Sequence, residues 1–242
     1  METVCVIPAR FESSRFPGKL IEKLDGREII LHVLDKVKKS KIPKIIVATD
    51  SDIIKIIVEK NGVEAVMTPP ELPSGTDRIA FAVKKLGIET DYVLNVQGDE
   101  PFMEPELIDA LVSAHYKNSS IDIFTAVKEA ADKEIDDPNS VKVVISENNS
   151  ALYFSRAAIP FYRDNLQLKK YWVHIGIYHY KLDSLFKFVE ISPSKLEIIE
   201  KLEQLRALEN GFNIGVIPYN YSGFGIDTEA DLKKAENILK KV

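Results

Sequence analysis

Val4-Cys5-Val6-Ile7, followed by Pro8-Ala9-Arg10-Phe11-Glu12-Ser13-Ser14-Arg15-Phe16-Pro17-Gly18-Lys19, sets the fold class. The four apolar residues read as a strand. The loop after them gathers Arg10, Arg15 and Lys19, adds the hydroxyls of Ser13 and Ser14, and has Gly18 where a backbone could approach a ligand. The same alternation continues down the chain. Residues 28–39 read as a helix with Ile29, Ile30, Val33, Leu34 and Val37 on one stripe. Strands are predicted at 44–48, 65–67 and 92–96, and helices at 52–60, 77–85 and 105–115. Strand–helix alternation of this kind implies an α/β fold, a mostly parallel sheet flanked by helices.

The second half changes character. Strands are predicted at 141–145, 151–154, 172–180 and 214–218, and helices at 182–189, 198–210 and 228–240. With no Gly/Ser-rich linker, low-complexity tract or repeat in sight, the expected organisation is a single domain over 1–242 with a β-rich region near 150–190.

Composition narrows the function. The chain has 242 residues, 45% hydrophobic, with a net charge of −5. A mildly acidic chain is not expected to bind nucleic acid, so a phosphate ligand would need locally clustered cations. No run approaches the roughly 20 apolar residues of a membrane helix, and the apolar start at 1–9 is too short for a signal peptide. The lone Cys5, inside an apolar run, reads as a small core residue in a reducing compartment. A cytoplasmic location with no membrane partner is expected.

Ligands of parallel sheets bind outside the carboxyl ends of the strands, here the loops after Ile7, Ala48 and Val96. The first is the cationic loop, which suits a triphosphate. It is neither a Walker A loop nor a dinucleotide fingerprint, since the required glycines are missing. The third, Asn95-Val96-Gln97-Gly98-Asp99-Glu100-Pro101, aims Asp99 at the ligand edge. Magnesium takes one or two carboxylates together with phosphate oxygens and water. Asp227, in Gly225-Ile226-Asp227-Thr228, is a second candidate, although Asp before a helix is an ordinary N-cap.

Taken together, these segments resemble the acidic-sugar cytidylyltransferases. The resemblance runs through Pro8-Ala9-Arg10, Ser14-Arg15-x-Pro17-Gly18-Lys19, Ser74-Gly75-Thr76-Asp77-Arg78 and the Asp99 loop. It continues with Asn139-x-Val141-Lys142, Tyr153-Phe154-Ser155-Arg156, His174-x-Gly176-Ile177-Tyr178 and Glu200-x-Leu202-Glu203-Gln204-Leu205-Arg206, and closes on Gly225-Ile226-Asp227-Thr228. Pro73 departs from the polar residue expected ahead of Ser74. The resemblance implies a nucleotide-diphospho-sugar transferase-like fold with a β-rich dimerisation insertion, hence a homodimer. It implies transfer of CMP from CTP to 3-deoxy-manno-octulosonate (Kdo), with Mg2+ as cofactor, for lipopolysaccharide synthesis. Carried over by motif, Arg10, Arg15 and Lys19 would hold the triphosphate. Pro8, Ala9, Ser74 and Arg78 would seat the nucleotide, and Asp99 and Asp227 would hold magnesium. Arg10, Lys19 and the two aspartates would be catalytic. Gln97, His174, Tyr178, Glu203 and Gln204 would face the sugar, with Arg156 and Arg163 for its carboxylate. The rival readings are a cytidylyltransferase for another acid sugar (an amino-substituted Kdo or a sialic acid) and a nucleotide-binding regulator without turnover.

Overall fold

The computed structural model describes residues 1–13, 15–164 and 169–240. Ser14 of the cationic loop lies outside them. The chain forms two compact units, residues 1–110 with 222–242, and residues 111–221.

The first unit is built on the predicted parallel strands. They are β1 (Thr3–Ala9), β4 (Lys44–Thr49), β5 (Glu64–Met67) and β6 (Tyr92–Val96), in the order β6-β1-β4-β5. Every residue of β1 is buried, as expected for a parallel strand covered on both faces. Cys5 is fully buried within it, and burial pushes its thiol far above the ordinary value. Between the strands run α1 (Ile29–Val37), α2 (Asp52–Lys60) and α3 (Gly75–Lys85), and α4 (Pro105–Lys117) follows β6. The α1 stripe read from the sequence is the buried face: Ile29, Ile30, Val33, Leu34 and Val37 are at most 1% exposed. A two-residue hairpin not anticipated from the sequence, β2 (Lys23–Leu24) and β3 (Arg27–Glu28), turns on Asp25-Gly26 with φ of 51° and 76°. Two consecutive positive φ values make this the Asp-Gly turn that matches strand twist. Leu24 then packs with Ile29, Ile226 and Ala235, which anchors the C-terminal helix Glu229–Leu239.

The second unit holds β7 (Ile123–Glu129), β8 (Lys142–Ile145), β9 (Ala151–Ser155), β10 (Trp172–Lys181) and β11 (Ile214–Pro218). β11 runs parallel to β7, and β10 is antiparallel to both β7 and β8. Its helices are α5 (Asp132–Ile135), α6 (Leu182–Val189), α7 (Lys195–Glu200) and α8 (Gln204–Glu209).

One sequence expectation is corrected, and one strand is added. The single helix expected over 198–210 is two, because Lys201 adopts a left-handed conformation (φ 54°) that ends α7. β7 was not anticipated. It lacks strict alternation and carries a buried Thr125, whose hydroxyl is satisfied by the carbonyls of Ile175 and Ile177. No helix among the described residues is long and apolar enough to cross a membrane.

Candidate active site

The segments after the carboxyl ends of β1, β5 and β6, with Asp227, line one cavity of about 360 Å³ in the first unit. Pro8, Arg10, Arg15, Lys19, Ser74, Arg78, Gln97, Asp99 and Asp227 all line it. Of the residues expected there, Ala9 does not: it is buried at the end of β1.

The cationic loop is closed at its base, where Gly18 N–H donates to Phe11 O at 3.0 Å. Gly18, at φ 72°, then turns the chain into a single 3-10 turn that starts at Lys19. That geometry sends the Lys19 side chain inward, where it is 10% exposed. Its Nζ lies 2.5 Å from Asp99 Oδ2 and 2.8 Å from Asp227 Oδ1. Arg15 Nη2 holds the other oxygen of Asp227 at 2.8 Å.

Burial is the largest single influence on Lys19 and favours its neutral form, but the two carboxylates together outweigh it and hold its pKa above 10.5. Burial likewise pushes Asp227 up, and Lys19 and Arg15 more than reverse it, leaving its carboxyl below the ordinary 3.8. Both groups are therefore ionised at neutral pH.

Asp227 is not the helix cap that position alone suggests. Thr228 is: its Oγ1 accepts from Asp231 N at 3.2 Å, and Asp231 Oδ2 accepts from Thr228 N at 2.9 Å. The Asp227 carboxylate is thereby left for the cavity. Its loop is tied to the Asp99 loop by Ile226 N–H donating to Asp99 O at 2.8 Å. Gly98 is a close-approach glycine, since a Cβ there would stand 3.1 Å from Pro8 O.

Ser74 caps α3, accepting from Asp77 N at 3.1 Å and donating to Asp77 Oδ2 at 2.6 Å. Gln97 is oriented by Asn95, to whose Oδ1 it donates at 3.1 Å. Arg78 is 2% exposed and ion-paired to Asp50 at 3.0 Å, and it also donates to Thr68 Oγ1 and to Pro69 O. Burial is the largest influence on its guanidinium and draws its pKa below the ordinary arginine value. Asp50 opposes that shift and the nearby Arg10 adds to it.

Asp50 is the site residue that the sequence reading passed over. Its Oδ1 accepts from Phe11 N at 2.9 Å while its Oδ2 holds Arg78, so one buried carboxylate joins the cationic loop to α3. A signal was available: Asp50 directly follows β4, in one of the three loops that the strand-end rule selects.

The remaining candidates lie in the second unit. A bulge in β10 between Ile175 and Tyr178 shifts the register against β7. His174 and Tyr178 then stand with ring centroids 5.2 Å apart. Thr125 Oγ1 donates to Ile177 O at 2.7 Å and so accepts from His174 Nε2 at 2.9 Å, which places the imidazole proton on Nε2. Burial lowers the His174 pKa to about 4, so the ring is neutral. Burial first, and then Glu203, push the Tyr178 hydroxyl well above its usual value. Glu203 accepts from Arg206 Nη2 at 2.9 Å, and Gln204 is buried at the start of α8. Arg156 donates to the carbonyls of Glu200, Pro138 and Lys201. Arg163 is exposed.

The family description Cytidylyltransferase matches residues 4–214 of this chain. The 3-deoxy-manno-octulosonate cytidylyltransferase of Thermodesulfovibrio yellowstonii is 48% identical, over 99% of this chain and 98% of its own length. The protein of the same description from Elusimicrobium minutum is 45% identical, again over 99% and 98%. Among solved structures, CMP:2-keto-3-deoxy-manno-octonic acid synthetase complexed with CTP matches with a TM-score of 0.95 at 35% identity, covering 100% of this chain and 99% of that one. A cytidylyltransferase from Leptospira borgpetersenii shares the fold, with a TM-score of 0.66 at 18% identity.

Proposed function

This chain belongs to the cytidylyltransferase family, and from that premise we propose that it transfers CMP from CTP to the anomeric hydroxyl of Kdo, releasing pyrophosphate. The observation that carries the reading is the first-unit cavity, where two aspartates converge on one point among the cations a triphosphate requires.

The chemistry is an in-line displacement. The sugar oxygen forms a bond to the α-phosphorus, the bond from that phosphorus to the bridging oxygen breaks, and pyrophosphate leaves with the electron pair. Such transfers need positioning and charge neutralisation more than covalent help. Arg10, Arg15 and Lys19 hold the phosphates and oppose the charge that develops on the leaving group. Ser74 and Arg78 shape the nucleoside end.

Asp99 and Asp227 are assigned as the magnesium ligands. The fit rests on the Lys19 ammonium, a cation that already finds one oxygen of each carboxylate within 2.8 Å, so both side chains converge on a single position. Hard carboxylate oxygens suit magnesium. No cluster of three or more metal-ligating side chains occurs among the described residues. Bound there, magnesium would supply Lewis-acid neutralisation of phosphate charge.

For the sugar, Gln97 lines the first-unit cavity and offers an amide to a hydroxyl, while His174, Tyr178, Glu203 and Gln204 of the second unit are carried as candidates by the family resemblance alone. Arg163 offers an exposed guanidinium to the carboxylate, whereas Arg156 would have to exchange carbonyl partners for it. A homodimer is part of the proposal: Leu152, Phe161, Ile198 and Ile199 of the second unit are large apolar side chains 54–88% exposed, which self-association would cover. The reaction is placed in the cytoplasm, with its product feeding lipopolysaccharide synthesis.

The test is pyrophosphate release from CTP and magnesium with Kdo, amino-substituted Kdo, a sialic acid or no sugar. Release with Kdo at least about a hundredfold above the other sugars is expected, since a site built around particular hydroxyls rejects analogues lacking them. Preference for a different acid sugar would reassign the substrate, and release with none would reject the enzyme.

A further inference from the structure

The position on which Asp99 and Asp227 converge is held by the protein's own cation. Lys19 Nζ takes Asp99 Oδ2 at 2.5 Å and Asp227 Oδ1 at 2.8 Å, while Arg15 secures the remaining oxygen of Asp227. Magnesium needs its oxygen ligands at about 2.0–2.1 Å in near-octahedral array. A divalent ion on those same two oxygens would stand almost in contact with the ammonium, and at so short a distance the repulsion is severe even in a polar site. Ammonium and metal are therefore alternatives. The lysine is also well held, with its side chain 10% exposed and its stem fixed by the turn after Gly18. Yet Lys19 lines the same cavity as Arg10 and Ser74, so a triphosphate in that cavity offers the ammonium a second set of anions.

We propose that Lys19 acts as a positioning residue that holds Asp99 and Asp227 at the spacing of a single cation and keeps the pair closed to a divalent metal until a nucleoside triphosphate draws its ammonium away. The inference rests on the assignment of the two aspartates as metal ligands and adds an order of assembly to it: nucleotide before, or together with, metal. In the nucleotide-free protein the apparent metal affinity is reduced by the small fraction of molecules whose lysine has left the carboxylates. The exchange of partners needs only a side-chain movement. It also keeps the two carboxylates from repelling one another before substrate arrives.

The experiment titrates nucleotide-free protein with manganese and follows the free ion by electron paramagnetic resonance. Lys19→Met removes the competing cation and is expected to bind manganese at least about tenfold more tightly than the wild type. Adding Asp227→Asn to that variant should abolish the gain. Equal or weaker binding by folded Lys19→Met overturns the proposal. If Lys19→Met does not fold, the wild type decides. Without nucleotide, its melting temperature in about 5 mM magnesium should match that in EDTA within about 1 °C, and a rise of several degrees would show metal binding with the lysine in place. Neither readout uses Kdo or turnover, so a failure here is distinct from a failure of pyrophosphate release.

Discussion

Asp227→Asn is expected to lower kcat by about a thousandfold while CTP affinity changes by less than about fivefold. The asymmetry follows from what each group touches. In the proposed mechanism Arg10, Arg15 and Lys19, which line the cavity, provide the ground-state grip on the phosphates, and all three remain in the variant. What is lost is one of the two carboxylates that converge on the cation position, and with it the charge stabilisation needed as pyrophosphate departs. Loss of a single preorganised electrostatic group costs about a hundred- to a thousandfold in comparable sites. The fold should survive, because Thr228 and Asp231, not Asp227, cap the last helix. Initial rates with saturating Kdo, calorimetric CTP binding and a melting curve separate the three effects. Near-normal turnover, or a defect confined to KM, would remove Asp227 from the chemistry.

The second large effect concerns the buried pair behind the site. Arg78→Met should destabilise the protein by about 3–5 kcal/mol, because Asp50, whose side chain is 8% exposed, would keep a charge with no counter-ion. At about 2–4 °C per kcal/mol, the melting temperature falls by roughly 10 °C. Asp50→Asn in the same chain should recover much of that loss, since asparagine still accepts the Phe11 N–H but carries no charge. Chemical denaturation of the single and double variants measures both. Equal stability of the two would mean that the pair does not hold the loop to α3.

Part of the site was legible in the sequence and part was not. Strand ends are local features. The alternation of apolar runs and helical stripes located β1, β4 and β6, and the strand-end rule then pointed to Arg10, Lys19 and Asp99 without any knowledge of contacts. Asp50 lay in the loop after β4, but its partners, Phe11 and Arg78, are 39 and 28 positions away and no short pattern joins them. Asp227 was ambiguous because Asp before a helix usually caps it. The Thr228-x-x-Asp231 capping box, one position further on, was the sequence feature that could have resolved it. The break at Lys201 requires a left-handed lysine, a conformation that no local preference announces. In β7, the buried Thr125 interrupts the apolar pattern because its hydroxyl serves the bulged segment of β10, a tertiary reason that periodicity does not carry.

The proposed function rests on attack by a sugar hydroxyl on the α-phosphorus of CTP. It is tested most directly with Kdo carrying 18O at the anomeric hydroxyl, the wild-type protein, magnesium and CTP, with products followed by 31P NMR. The isotope shift is expected on the phosphorus of the CMP ester, together with unlabelled pyrophosphate. A CMP phosphorus without the label, with pyrophosphate formed, would mean that water rather than the sugar attacks, and would contradict it.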